Sequence, residues 1–140
     1  MNIVELIKEK NEYLEKFYNV NLEEISRFAD GDFENLENFY QSRAALLDMI
    51  SSVDRRIEES NVLDSEEVEM SPEDKVVVIQ ELDFRNSLVH KILAQDLQAL
   101  SFIEKAKSEI IKELAQVRSV KKAVSSYKVG IRNLTIDEEA

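Results

Sequence analysis

The sequence predicts an all-α fold, an elongated antiparallel helical hairpin or bundle of three to four long, coiled-coil-like helices. Three observations carry this expectation. Only two glycines and one proline occur in 140 residues, against usages of roughly 7% and 5% in ordinary proteins, so the chain has few places to reverse as a sandwich or a βαβ fold requires. Apolar residues recur at intervals of three and four, the helical period. The single proline stands in Ser71-Pro72-Glu73-Asp74, where a serine can accept from free amides, proline leaves no amide unpaired, and two acids oppose the positive helix end. The expected organisation is one helical domain over 1–128, with helices at about 2–28, 33–59 and 72–128, an acidic loop at 60–71 and a flexible C-terminal tail at 129–140.

The first helix rests on Ile3, Leu6, Ile7, Leu14, Phe17, Tyr18, Leu22, Ile25 and Phe28. Asp30-Gly31-Asp32 interrupts it, because glycine accepts positive φ at a helix end and Asp32 can cap the second helix. Both a kink and a full reversal are compatible with that break. In the second helix Phe33, Leu36, Phe39, Tyr40, Leu46, Leu47, Ile50, Val53 and Ile57 form the apolar side. The acidic stretch SNVLDSEEVEM has no sustained stripe and reads as a loop with partial disorder.

Beyond the Ser71-Pro72 cap there is no glycine until Gly130. Val89, Leu93, Leu97, Leu100, Ile103, Ile110, Leu114, Val117, Val124 and Tyr127 keep heptad-like spacing, and an unbroken helix over 72–128 is about 84 Å long. Asp83-Phe84-Arg85-Asn86-Ser87 gathers poorer helix formers, and a break there makes four helices instead of three. Lys121, Lys122 and Lys128 complement the negative helix end. Such a helix cannot bury its stripe alone. Either the first two helices reverse and cover half of it, leaving the rest for a partner, or they run end to end and cover all of it.

Charge narrows the function. Residues 1–70 hold 7 Lys or Arg against 18 Asp or Glu, a net of −11, whereas residues 71–140 hold 11 of each. That balance argues against wrapping nucleic acid, which needs a basic face to displace counterions. The absence of cysteine excludes disulfides, thiolate metal sites and cysteine nucleophiles. MNIVELIKEKNEYLEK carries acids throughout, unlike a signal peptide. No apolar stretch approaches the roughly 20 residues that span a bilayer, so membrane insertion is not expected.

No catalytic, cofactor-binding or metal-binding residue is expected, and the protein reads as a binding protein instead of an enzyme. His90 is the lone histidine. Two-metal helical bundles use Glu-x-x-His on each of two helices, but Ser87 stands three residues before His90 and no second histidine exists. Glu23-Glu24, Glu58-Glu59 and Glu66-Glu67 lack the spacing and central glycine of a calcium loop. Phosphate-binding loops need clustered glycines, which are absent.

Two features bear on binding. Lys107 and Lys121 stand fourteen residues apart where the stripe calls for apolar residues. Either their stems lie on the stripe while the ammonium groups reach water, or they select an acidic or polar partner helix. Ala99, Phe102, Ala106, Ile110, Val117, Val120 and Val124 widen the apolar face, as core packing or as room for a second helix.

The segment Gly31-Asp32-Phe33-Glu34-Asn35-Leu36-Glu37-Asn38-Phe39-Tyr40-Gln41-Ser42-Arg43-Ala44-Ala45-Leu46-Leu47 resembles the second-helix pattern of the FlgN/FliT-type flagellar export chaperones, a G-D break followed by spaced leucines and a basic residue before a leucine pair. Lys121-Lys122-Ala123-Val124-Ser125-Ser126-Tyr127-Lys128 is similar to the end of their last helix. The resemblance extends over about 2–128. It implies a bacterial cytoplasmic chaperone that binds an aggregation-prone amphipathic terminal helix of a hook-associated or filament-cap subunit and aids its type III export. Leu114, Val117, Val120, Val124 and Tyr127 match the region that the family uses for partners. The alternative is a structural coiled-coil or tethering protein that forms a homodimer through its last helix.

Overall fold

The computed structural model describes the backbone of residues 2–64 and 70–139, with side chains at 2–60 and 70–128. Three helices follow in order: α1 (Ile3–Ala29), α2 (Leu36–Asp64) and α3 (Pro72–Glu139). The all-α expectation holds, and three helices, not four, are present among the described residues. The chain divides into two compact units, Met1–Phe102 and Ile103–Ala140, where the sequence predicts one domain over 1–128. The first contains α1, α2 and the opening part of α3, and the second contains the rest of α3.

The first and last helices start on local signals. Asn2 caps α1, its Oδ1 accepting from the Glu5 amide at 2.9 Å. Ser71 Oγ accepts from the Asp74 amide at 3.1 Å, with Pro72 at the first helical position and Glu73 and Asp74 in the first turn of α3.

Gly31 makes a full reversal. Its φ is +80°, the Asp32 amide donates to the Arg27 carbonyl at 2.9 Å and the Gly31 amide to the Phe28 carbonyl at 3.0 Å. This pair of bonds closes α1 with a Schellman motif. Asp32 Oδ1 then accepts from the Glu34 amide at 3.1 Å, so Asp32 holds the turn, and α2 begins at Leu36 instead of near Phe33. Phe33 stacks on Phe28 with ring centres 4.9 Å apart, and Phe39 meets Phe28 edge-on at 5.4 Å.

Within the first unit the cross-helix contacts fix direction. Lys10 pairs with Asp54 at 2.7 Å and Glu9 with Arg56 at 2.8 Å, so α1 and α2 are antiparallel. Asn11 donates to Glu81 and Asn21 to Gln95 and Asp96, so α3 runs parallel to α1. The result is an up-down-up bundle. Its core joins Leu14, Phe17, Ile50, Leu88 and Ile92 from all three helices, each buried large side chain contributing roughly 1.5–3 kcal/mol.

The structure differs from the sequence pattern at three places on α3. Apolar spacing puts the seam of α3 on Val89, Leu93, Leu97, Leu100 and Ile103, but Leu88, Ile92, Gln95 and Ala99 are buried, and of the expected residues Ile103 is buried and the other four are exposed. Rotating α3 this way lets Gln95 Nε2 donate to the Tyr18 carbonyl at 3.1 Å and its Oε1 accept from Asn21 at 3.3 Å. Residues 83–87 do not break α3, because propensity penalties of a few tenths of a kcal/mol are outweighed by tertiary packing. Gly130 does not end α3 either, so the stretch expected as a tail at 129–140 is helical as far as Glu139. A glycine inside a helix costs only about 1 kcal/mol relative to alanine, and no proline follows. Of the loop expected at 60–71, residues 60–64 belong to α2 and residues 65–69 lie outside the described residues.

Candidate protein-binding face of the last helix

Side chains at 107–128 are all exposed. Leu114, Val117, Val120, Val124 and Tyr127, the residues expected to meet a partner, are between 46% and 71% exposed, and Ile110 and Ile111 join them. At about 100° per residue, Ile110, Leu114, Val117 and Val124 fall on one side of the helix, with Val120 and Tyr127 on its flank. Val117, Val120 and Lys121 line a shallow hollow with Glu113 and Gln116. The structure thus brings four of the five expected residues onto, or immediately beside, one apolar strip, and places Tyr127 at its margin.

The charges beside this strip are unevenly distributed. Residues 103–128 hold seven Lys or Arg against three Glu, a balance of +4, whereas residues 1–102 hold 10 Lys or Arg against 23 Asp or Glu, a balance of −13. Lys107 makes a 3.7 Å contact with Glu104, both well exposed. Among the described residues no ion pair engages Arg118, Lys121, Lys122 or Lys128. The ammonium groups of Lys107 and Lys121 therefore stand in solvent, beside an apolar face that is itself in solvent.

His90 is exposed on α3. Among the described residues no three His, Asp or Glu side chains are grouped as a metal site requires, and no helix is long and apolar enough to cross a membrane.

Two features escape the sequence pattern. A polar node ties the helices of the first unit together, in which Asn21 is fully buried and Arg43 Nη2 donates to Asp96 Oδ1 at 2.8 Å. Asn21 belongs to the run Ile7, Asn11, Leu14, Tyr18, Asn21, Ile25, Phe28, which alternates four- and three-residue steps throughout, so a strict heptad reading finds both asparagines in the seam. The second feature is the exposure of Leu93, Leu97 and Leu100 on α3, residues that the apolar stripe includes but does not show to be uncovered. Compared with protein families, with curated proteins and with solved structures, the chain matches none of them.

Proposed function

We propose that this protein is a cytoplasmic chaperone that binds an amphipathic terminal helix of a flagellar export substrate, of hook-associated or filament-cap type, keeping it from aggregating before type III export. The observation that carries the reading is the exposed apolar face at Leu114, Val117, Val120 and Val124. The resemblance of residues 31–47 and 121–128 to FlgN/FliT-type chaperones supplies the class of client. A client helix laid on this face gains roughly 25 cal/mol for each Å² of apolar surface removed from water, and the entropy lost in ordering it offsets much of that gain. The balance is moderate, reversible affinity, as release to an export apparatus requires. No bond is made or broken, so the proposal gives the protein no catalytic role.

The test uses purified hook-associated and filament-cap subunits, each with and without its terminal helices, against the full chain and a Val117→Asp, Val124→Asp double variant. Capture that is lost both with the client's helix and in the variant supports the reading. No capture, or capture that the variant leaves unchanged, overturns it.

A second reading, a coiled-coil or tethering protein that self-associates through α3, is favoured by the exposure of Leu93, Leu97 and Leu100 at steps of four and three. Sedimentation separates the two readings. A tight dimer that is dissociated by Leu97→Asp and captures none of those subunits supports the tether.

A further inference from the structure

Resting on the reading of residues 110–127 as a helix-binding face, we infer that its occupant is a protein helix with carboxylates along one edge, and not a second copy of this chain. Lys107, Leu114, Lys121 and Lys128 follow one another at seven-residue steps, so one row of the helix alternates cation and apolar residue before ending in two cations. Arg118 and Lys122 fall next to that row at about 100° per residue, while Glu109 and Glu113 fall on the opposite edge. Beyond Lys107, which pairs with Glu104 at 3.7 Å, the apolar face therefore has a basic border and an acidic one. Arg118, Lys121, Lys122 and Lys128 have no ion-pair partner among the described residues, which leaves them available to a bound helix.

This arrangement disfavours both two-fold pairings of identical faces. A parallel, in-register pair sets Lys107 against Lys107, Lys121 against Lys121 and Lys128 against Lys128, since equivalent seam positions share a layer. An antiparallel pair sets the basic border of one copy against the basic border of the other. A foreign helix with Glu or Asp on the edge facing Lys107, Arg118 and Lys121 avoids both conflicts and gains charge complementarity, which selects partner and register. An anionic membrane offers negative charge too. Helices that lie on membranes, however, draw the buried side largely from Trp, Phe and Leu, whereas this face is mostly β-branched, with Ile110, Val117, Val120 and Val124 around Leu114, and the chain as a whole has a charge of −11.

The experiment measures anisotropy of two labelled helical peptides with one identical apolar face, one bordered by Glu and the other by Lys, added to the full chain at about 50 mM salt. The acid-bordered peptide binds about tenfold more tightly, as a few exposed pairs allow, against the bulk charge of residues 1–102, which favours the basic peptide. In an Arg118→Glu, Lys121→Glu variant the order reverses, while Val117→Asp, Val124→Asp weakens both peptides. Equal affinities, or an order that the charge variant leaves unchanged, overturn the charge assignment and leave the helix-binding face standing. No binding of either peptide overturns the face itself. Tighter association with phosphatidylserine vesicles than with the acid-bordered peptide, or dimerisation lost in the Val117→Asp, Val124→Asp variant, overturns the choice of occupant.

Discussion

Arg43 of α2 and Asp96 of α3 meet through a 2.8 Å contact between Nη2 and Oδ1, in a position where the Arg43 guanidinium also lies 5.0 Å from the ring centres of Phe17 and Phe39. One side chain thus touches the aromatic core and the charge on the third helix together. Asn21 of α1 donates to the same Asp96 oxygen at 3.2 Å. All three helices of the first unit are held in register at this level.

Arg43→Ala is expected to destabilise the first unit by about 2–3 kcal/mol, because it strands a partly buried carboxylate and removes two cation-ring contacts. Arg43→Lys keeps the charge but loses the flat guanidinium between the rings, and should cost about 1 kcal/mol. Urea denaturation followed by circular dichroism checks both. A costless Arg43→Lys would show that the rings contribute nothing, and equal costs for the two variants that the ion pair with Asp96 contributes nothing.

The orientation of α3 predicts opposite outcomes for residues five apart. Ile92 is buried and Leu97 is well exposed. Ile92→Asp should cost more than about 3 kcal/mol by placing a carboxylate in the core, whereas Leu97→Asp should change stability by no more than about 0.5 kcal/mol. Thermal melts of the two variants decide it, and the reverse ranking would restore the seam that the apolar pattern alone suggests.

That seam shows where the sequence stops being legible. Helical class, the cap at Ser71 and the break at Gly31 are local matters of backbone and period, and they can be read without knowing what packs where. The buried side of α3 is not local. Val89, Leu93, Leu97 and Leu100 form a more apolar row than Leu88, Ile92, Gln95 and Ala99, so hydrophobicity by itself selects the wrong face. The correct row wins because Gln95 and Asp96 find Asn21, Tyr18 and Arg43 across the bundle, and a buried polar group with partners costs far less than one without. The face at Leu114, Val117, Val120 and Val124 was legible as a stripe. Its exposure depended on whether Gly31 reverses the chain, a choice settled by the two hydrogen bonds that close α1.

The Glu9–Arg56 pair predicts a pH response with a definite sign. The hydrogen bond to Glu9 is the main cause that raises the Arg56 guanidinium above its ordinary range, with desolvation opposing it and the Glu9 and Tyr13 charges adding to it. A cation whose pKa is raised on folding gives stability that is fully present below its unfolded value and lost only as pH climbs through the folded one. Both values lie well above neutrality for arginine. The difference in Tm between the wild type and Glu9→Gln should therefore be the same at pH 7 and pH 9, and a difference that shrinks over this interval would contradict the assignment.

The two glycines are expected to respond to alanine with opposite signs. At Gly31 φ is +80° and a Cβ would meet nothing within 4 Å, so Gly31→Ala carries a backbone penalty alone, about 1 kcal/mol for the left-handed conformation. Gly31→Asn should cost less, since asparagine tolerates that region. Gly130 lies within α3, where φ is negative, and there alanine is favoured over glycine by about 1 kcal/mol. Gly130→Ala should therefore slow hydrogen exchange of the amides at 131–139 while leaving the denaturation midpoint of residues 1–102 unchanged. If Gly130→Ala instead leaves that exchange unprotected, α3 does not continue through residue 130 in solution, and the helix ends where its glycine first suggested.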